Sequence, residues 1–570
     1  MFFDARAVPT DNVLETDLCI VGCGAAGITL ARELSRSTVR VVVLESGGLA
    51  FESPTNDLNK GAITGLPYFP LETARLRYFG GSTNHWGGLC RPEEPGDFEA
   101  RAWIPESGWP IGRGDLNPYY PRAAAIVGVP VDDWDLDRWR ARSPFPTLPL
   151  PADRITTVVA QVVESRERSF APRYRAALDA APNVAIHLHA NVVDIETDES
   201  GRHVRRVHAA TLEGNRFTVA AHVFVLATGG IENARLLLAS DHVRPNGVGN
   251  DHGLVGRYFM EHPRFIAGLI LPTDRRLPIG FYEPHHAGGT TLLGYLSLSQ
   301  EAAVTEELTD VQVRLAPIYD PAVQAALDSP DVDKLRELAD WLSGHDPVDD
   351  VGEDLSEVVG DLLSWRSAMI VGGPIPVPLP EVVDEVIRRA RAGDLEGVIP
   401  LMLGDVATAG YRQLTGALPV TAIALSTRIE QVPNPDSRVT LGSERDALGM
   451  RRAELHWALA DLDRRSVIRT LELLGAELGR TGLGRLRIDL EEESDTWPDD
   501  LAGGWHHMGT TRMSDDPAHG VVDRNCQVHG IDNLYVAGSS VFTTAGSGTP
   551  TMTIVALALR LAEHLKGALA

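Results

Sequence analysis

Leu18-Cys19-Ile20-Val21-Gly22-Cys23-Gly24-Ala25-Ala26-Gly27-Ile28-Thr29-Leu30-Ala31 passes from a continuous apolar run, through three glycines, into residues with helical periodicity. A second β-branched run, Val39 to Leu44, follows and ends on Glu45. Strand, tight turn, helix and strand make a βαβ unit, which belongs to a parallel sheet. The glycines sit at the GxGxxG spacing of a dinucleotide site, and each has its own task. Gly22 permits the turn, Gly24 lets the backbone approach a pyrophosphate, and Gly27 lets the helix pack on the strand. The helix N-terminus then faces the phosphates. Glu45 can accept hydrogen bonds from both ribose hydroxyls, and an acid there disfavours a 2′-phosphate. A tight βα turn without a ligand is the plainer alternative, and Glu45 weighs against it.

Outward from this unit, HVFVLATGG brings a further buried strand to glycines at Ala227-Thr228-Gly229-Gly230, while the second strand turns into ESGG at Glu45–Gly48. A strand returning to the same site about 200 residues on favours FAD over NAD. The rest of the chain sets bounds. It has 570 residues with 44% hydrophobic content, enough for a large core. The net charge of −26 argues against nucleic-acid and anionic-membrane partners. Four cysteines, none at metal-ligand spacing, predict neither a disulfide framework nor a metal site. Asp4 stands where a signal peptide needs positive charge, and no run of about 18 apolar residues occurs, so a soluble cytoplasmic protein is expected. SPFPTLPLP (143–151) is a stiff connector, and an acidic region at about 301–415 shows helical spacing in KLRELADWLSG and LSEVVGDLLSW.

ESGG, GGSTNHWGG (80–88), GLVGRYFMEHP (253–263), PNPDSRVTL (433–441), HHMGTTRM (506–513) and the closing TPTMTIVALALRLAEHL occur in one order. In that order the chain resembles the glucose–methanol–choline (GMC) family of FAD oxidoreductases, and its most specific part, from HHMGTTRM to the closing TPTMTIVALALRLAEHL, looks like bacterial members and the pyranose-oxidase branch. The resemblance spans 1–265 and 420–570. It implies an α/β fold: a Rossmann-like FAD-binding domain (1–95, 185–265 and 500–570) with a parallel sheet, interleaved with an α+β substrate-binding domain (96–184 and 266–499) of antiparallel sheet and helices. The acidic helical insertion would belong to the second.

Position by position, the resemblance places Gly22, Gly24, Ala25, Ala26, Gly27, Glu45 and Ser46 at the ADP half, with Val192 at the adenine. Gly80, Gly81, Ser82, Asn84 and His85 would pass the flavin ring and pyrophosphate. Ala227, Thr228, Gly229, Gly538 and Ser539 would approach the phosphates. Thr551 and Met552 would begin a helix aimed at the flavin pyrimidine. His506 matches the active-site base that takes the hydroxyl proton while the C–H delivers hydride to flavin N5, with His507 on the opposite face. Thr549 stands where the family has His or Asn; its hydroxyl can hydrogen-bond a substrate oxygen but cannot act as a base. His85 precedes Trp86, as in relatives whose histidine bonds to the flavin. Non-covalent FAD is the expectation, a link to His85 the alternative.

The function implied is oxidation of a sugar, glycoside or polyol CH–OH to the carbonyl, with oxygen, a quinone or a redox protein as acceptor. A hydrophobic natural-product alcohol is the rival within the same chemistry, and predicts an apolar pocket wall from 266–420; a sugar predicts Gln, Asn, Asp and Arg there. A non-redox lyase that holds FAD structurally is the alternative of another class.

Overall fold

The computed structural model describes residues 1–130, 133–319, 420–491, 494 and 496–569. Strands are β1 (Phe2–Asp4), β2 (Val13–Val21), β3 (Val41–Leu44), β4 (Ile155–Val162), β5 (Val184–Leu188), β6 (Asn191–Thr197), β7 (Val204–Ala210) and β8 (Arg216–Leu226). After them come β9 (Arg264–Pro272), β10 (Thr290–Leu298), β11 (Val311–Tyr319), β12 (Val420–Ile429), β13 (Gly484–Ile488) and β14 (Leu534–Val536).

The first sheet has eight strands in the order β1-β5-β3-β2-β8-β7-β6, with β14 also on β8. From β1 to β8, and from β8 to β14, the pairing is parallel. Leu18, Cys19, Ile20, Val43 and Phe224 are fully buried, as strands covered on both faces require. The central turn is set by contact. Gly22 sits at φ +98°, and a Cβ there would lie 2.7 Å from the Ala227 carbonyl oxygen. A Cβ on Gly27 would meet the Gly22 carbonyl oxygen at 2.0 Å, so only glycine lets helix α1 (Ala25–Leu34) leave the strand this closely. Helix α1 packs against the closing helix, and Ile28, Ala31, Val555 and Leu559 of the two are buried in the core.

The second sheet is antiparallel, ordered β13-β9-β12-β11-β10-β4, continued by Leu89–Cys90 and with His285–Ala287 on β10. Residues Leu89–Cys90 fall in the stretch expected for the first domain but extend this second sheet. A long helix, α2 (Asp461–Thr481), packs across it. Asp463 caps its start, accepting from Ala460 N at 2.7 Å, and Gly482 at φ +70° ends it. A three-stranded sheet joins Ala62–Ile63 to Arg438–Arg445 and Arg451–His456. The closing helix, α3, is Pro550–Ala568, with proline in its first turn where the missing N–H costs nothing.

One expectation needs correcting. The region from about 301 was read as helical, but after a single short helix (Gln300–Thr305) it becomes β11. Val311, Val313 and Leu315 alternate into the core, which is a period of two, not of 3.6. The two amphipathic segments at 334–344 and 355–365 lie outside the described residues. Among the described residues no helix is long and apolar enough to cross a membrane, and all four cysteines are free thiols in the interior.

Candidate active site

A cavity of about 900 Å³ runs from the C-terminal ends of β2, β3 and β8 to one face of the second sheet. Strand carboxyl ends are where an α/β sheet opens a crevice. Gly22, Gly24, Ala25, Ala26, Glu45, Ser46, Val192, Ala227, Thr228, Gly229, Gly538 and Ser539 line its inner end. Gly81, Ser82 and His85 line it further out, as do Thr549, Thr551 and His506.

Four expected residues do not reach the cavity, each for a local reason. Gly27 packs under Gly22, and Met552 points into the core. Gly80, at φ +95°, turns the chain, and Asn84 is spent holding that turn: its amide donates to the Phe79 carbonyl and its oxygen accepts from Ser169.

Whether these walls fit a dinucleotide can be judged from the glycines. Gly24, Gly229 and Gly538 all have open space where a Cβ would stand. Backbone bared on three sides of one crevice is what a pyrophosphate needs. Glu45 is buried, its oxygens accepting from Cys23 N at 2.9 Å and Gly47 N at 3.0 Å. The Ser46 hydroxyl is a third donor at 3.3 Å, so one lone pair of that carboxylate is left for a ribose hydroxyl, and a second is freed when Ser46 turns away. Gly24→Val should therefore fold normally, since φ −85° suits valine and nothing clashes. Yet it should purify colourless, with flavin absorbance lost and far-UV circular dichroism unchanged.

At the other end the geometry is built on one carboxylate. Glu261, fully buried, accepts from the Tyr68 hydroxyl, from Gly504 N at 2.8 Å, from His262 N at 3.0 Å and from His506 N at 3.0 Å. It thereby ties the β9 approach to the loop carrying His506. The Tyr68 oxygen, its proton given to Glu261, accepts in turn from His507 Nε2–H at 3.0 Å. His507 is thus a positioning group facing away from His506. Trp505, immediately before His506, holds φ +58° and stacks on Phe69 at 4.4 Å.

The two remaining histidines form a chain. His262 Nε2 lies 3.0 Å from the Gly546 carbonyl oxygen, which can only accept, so that nitrogen carries the proton. Burial pushes the His262 pKa down to about 4, so the ring is neutral and its Nδ1 is a lone pair. His506 Nδ1, 2.7 Å away, must then be the donor. That leaves His506 Nε2 with a free lone pair and no partner among the described residues. Burial foremost, with the cations Arg428 and Arg264 nearby, holds the His506 pKa well below the ordinary imidazole range.

Thr549 also lines the cavity, with its hydroxyl proton already engaged. Its hydroxyl donates to the Leu89 carbonyl at 2.9 Å and accepts from Arg91 N at 3.1 Å, so it fastens the start of α3 to the sheet edge. His262 stands beside His506. GLVGRYFMEHP displays Glu261 and His262 in the sequence but nothing there gives them a role. Tyr68 and three cavity-lining arginines, Arg264, Arg314 and Arg428, leave no motif at all.

Over residues 17–340 the chain matches the family model described as FAD dependent oxidoreductase, and over 433–558 the one described as GMC oxidoreductase. It is 25% identical to the 6'''-hydroxyparomomycin C oxidase of Streptomyces lividus, with 96% of this chain and 92% of that protein aligned. It is 22% identical to the 2-methyl-1,2-propanediol dehydrogenase of Mycolicibacterium austroafricanum, with 98% and 96% aligned. Among solved structures, a formate oxidase variant from Aspergillus oryzae RIB40 superposes with a TM-score of 0.51 at 17% identity, covering 98% of this chain and 99% of the other. That last likeness is one of fold.

Proposed function

Because the chain belongs to the FAD-dependent oxidoreductases of GMC type, we propose that it oxidises the CH–OH of a sugar, glycoside or polyol to the carbonyl, with His506 as the base. The relatives named above, a hydroxyparomomycin oxidase and a propanediol dehydrogenase by their names, point to the same bond. FAD, when bound, supplies the hydride acceptor. Everything else is work for this chain. The glycine walls and Glu45 would hold the dinucleotide, and the N-terminus of α3 would favour negative charge on the ring beside it. The observation that carries the reading is the directed lone pair on His506 Nε2. A substrate hydroxyl there would give up its proton as the C–H bond breaks. The imidazolium so formed keeps its Nδ1–H bond to His262, which is itself anchored on Gly546.

Of the described residues within 266–420, Pro284, Leu293, Tyr295 and Arg314 line the cavity, so that stretch supplies one cation among apolar and aromatic groups. Ser426, Thr427 and Arg428, just beyond it, add the polar groups that support a polar alcohol. Oxygen, a quinone or a redox protein would take the electrons, and four buried thiols suit a reducing compartment such as the cytoplasm. Anaerobic mixing with a panel of sugars, polyols and hydrophobic alcohols tests the reading: a polar alcohol should bleach the flavin. Turnover of a substrate with the flavin left oxidised would favour a lyase and defeat it.

The pH dependence has a definite sign. A lowered pKa means the neutral base persists below the ordinary imidazole value of about 6.5. The acid limb of kcat/KM for flavin reduction should therefore fall below pH 6.5; a limb at or above 6.5 would contradict a buried neutral His506. His85 is held differently, with Nε2 2.8 Å from the Tyr78 hydroxyl at the cavity edge. With that nitrogen engaged, acid precipitation should release flavin to the supernatant. Yellow colour retained in the pellet would mean a covalent bond to His85.

A further inference from the structure

We infer that the substrate of this site is an alcohol that also bears a carboxylate, such as a sugar acid, and that Arg264, Arg314 and Arg428 bind the anionic end. This rests on the alcohol-oxidation reading and names its substrate class. The carboxylate changes no bonds. The oxidised carbon still loses its hydride to the flavin and its hydroxyl proton to His506.

Strand register brings the three together. Arg264 on β9 stands opposite Arg428 on β12, and Arg314 on β11 stands opposite Ser426, two residues along β12 from Arg428. Residues two apart share a face, so all three arginines look into the cavity, which each of them lines. Like charges directly across a strand pair repel, so a fold under no other demand would not place them there.

The groups that hold them are neutral. Arg428 donates to the Gln312 side-chain oxygen and to the Ser547 carbonyl, and its guanidinium lies 5.3 Å from the Tyr295 ring centre. Arg264 lies 4.7 Å from the Trp505 ring centre. No hydrogen bond or ion pair from the Arg314 side chain occurs among the described residues, and the Nε atoms of Arg314 and Arg428 are buried without a partner. None of the three forms an ion pair with a carboxylate among the described residues. Asp310 and Glu93 lie behind Arg428 within electrostatic range, and Glu261 near Arg264, but Glu261 is already committed to its own donors. At the dinucleotide end of the same cavity the arrangement is the reverse: Arg75 and Arg77 share the Glu232 carboxylate at 3.0 and 2.7 Å. Cations with neutral props and open donors, beside a base, are a receptor for an anion brought in by the substrate.

The test uses the FAD-loaded protein and succinate, which has two carboxylates and no hydroxyl to oxidise, against the neutral isostere succinamide. Succinate should perturb the flavin spectrum saturably, and Arg314→Gln should raise its Kd tenfold or more with FAD still bound. Succinamide should bind at least tenfold more weakly. In a second arm, D-gluconate should reduce the flavin with at least tenfold greater efficiency than D-glucitol, and D-glucuronate likewise against D-glucose. Succinate binding no tighter than succinamide, or neutral members reducing as well as their acids, would overturn the anion site while leaving alcohol oxidation intact. Arg314-dependent succinate binding, with no alcohol of any kind reducing the flavin, would uphold the anion site and sink the function it was built on. Should Arg314→Gln lose FAD, Arg428→Gln takes its place, and the succinate–succinamide comparison on the native chain still decides.

Discussion

His506→Ala is expected to purify yellow and to lose flavin reduction by roughly 10²- to 10⁴-fold under anaerobic conditions, the usual contribution of a positioned base. The cofactor should stay because the imidazole's hydrogen-bond partner is His262 and not the glycine turns, and the backbone N–H of residue 506 keeps its bond to Glu261 whatever the side chain. Stopped-flow bleaching at saturating substrate measures the loss directly, and a rate within a few-fold of the native value would remove His506 from the mechanism. His262 separates the base from the group that orients it. His262→Phe deprives His506 Nδ1–H of its acceptor and should cost less than removing the base itself. His262→Asn offers an amide oxygen in the same neighbourhood and should recover part of that loss. Equal losses in both variants would mean that His262 only fills space.

How much of this was legible in the chain follows from the range of the interactions. The βαβ unit is written in about thirty consecutive residues, and its glycines act on neighbours, so the turn, α1 and Glu45 could be read directly. The strand β8 and its return to the site were visible as apolar runs ending in glycine. β11 was misread because acidic helical spacing farther along coloured the whole region, although VQVRL alternates. His506, the proposed base, was legible only through resemblance, and its neighbour was not. His262 lies 244 residues from His506 in sequence, and the 2.7 Å contact exists because Glu261 holds both backbones. The partner of Thr549 was hidden for another reason: a hydroxyl carries no sign of which carbonyl will claim its proton, and the Leu89 carbonyl does. The charge was misleading in a similar way. A net −26 sums the whole chain, whereas one wall of the cavity gathers arginines that only strand register makes neighbours.

Glu261 is where the largest structural effect should appear. Replacing it with leucine leaves the Tyr68 hydroxyl and the backbone N–H groups of His262, Gly504 and His506 in the interior without an acceptor. At about 1–3 kcal/mol for each stranded donor, the sum is comparable with the ~5–15 kcal/mol that holds a typical protein folded. Glu261→Leu should therefore fail to accumulate as a soluble flavoprotein. Glu261→Gln is the informative variant. Its amide oxygen can serve the three N–H groups, and its NH₂ must then face Tyr68. The phenol can accept that proton only by turning its own O–H toward His507 Nε2, which forces His507 into its other tautomer. Two hydrogen bonds are reversed and one charge is lost, which should cost about 2 kcal/mol and loosen the loop bearing His506. The expected signature is a lower urea midpoint for flavin release, together with a ten- to hundredfold slower flavin reduction at unchanged FAD content. A Glu261→Gln protein with the native midpoint and the native rate would show that the carboxylate is incidental, and that the His506 loop is held by something else.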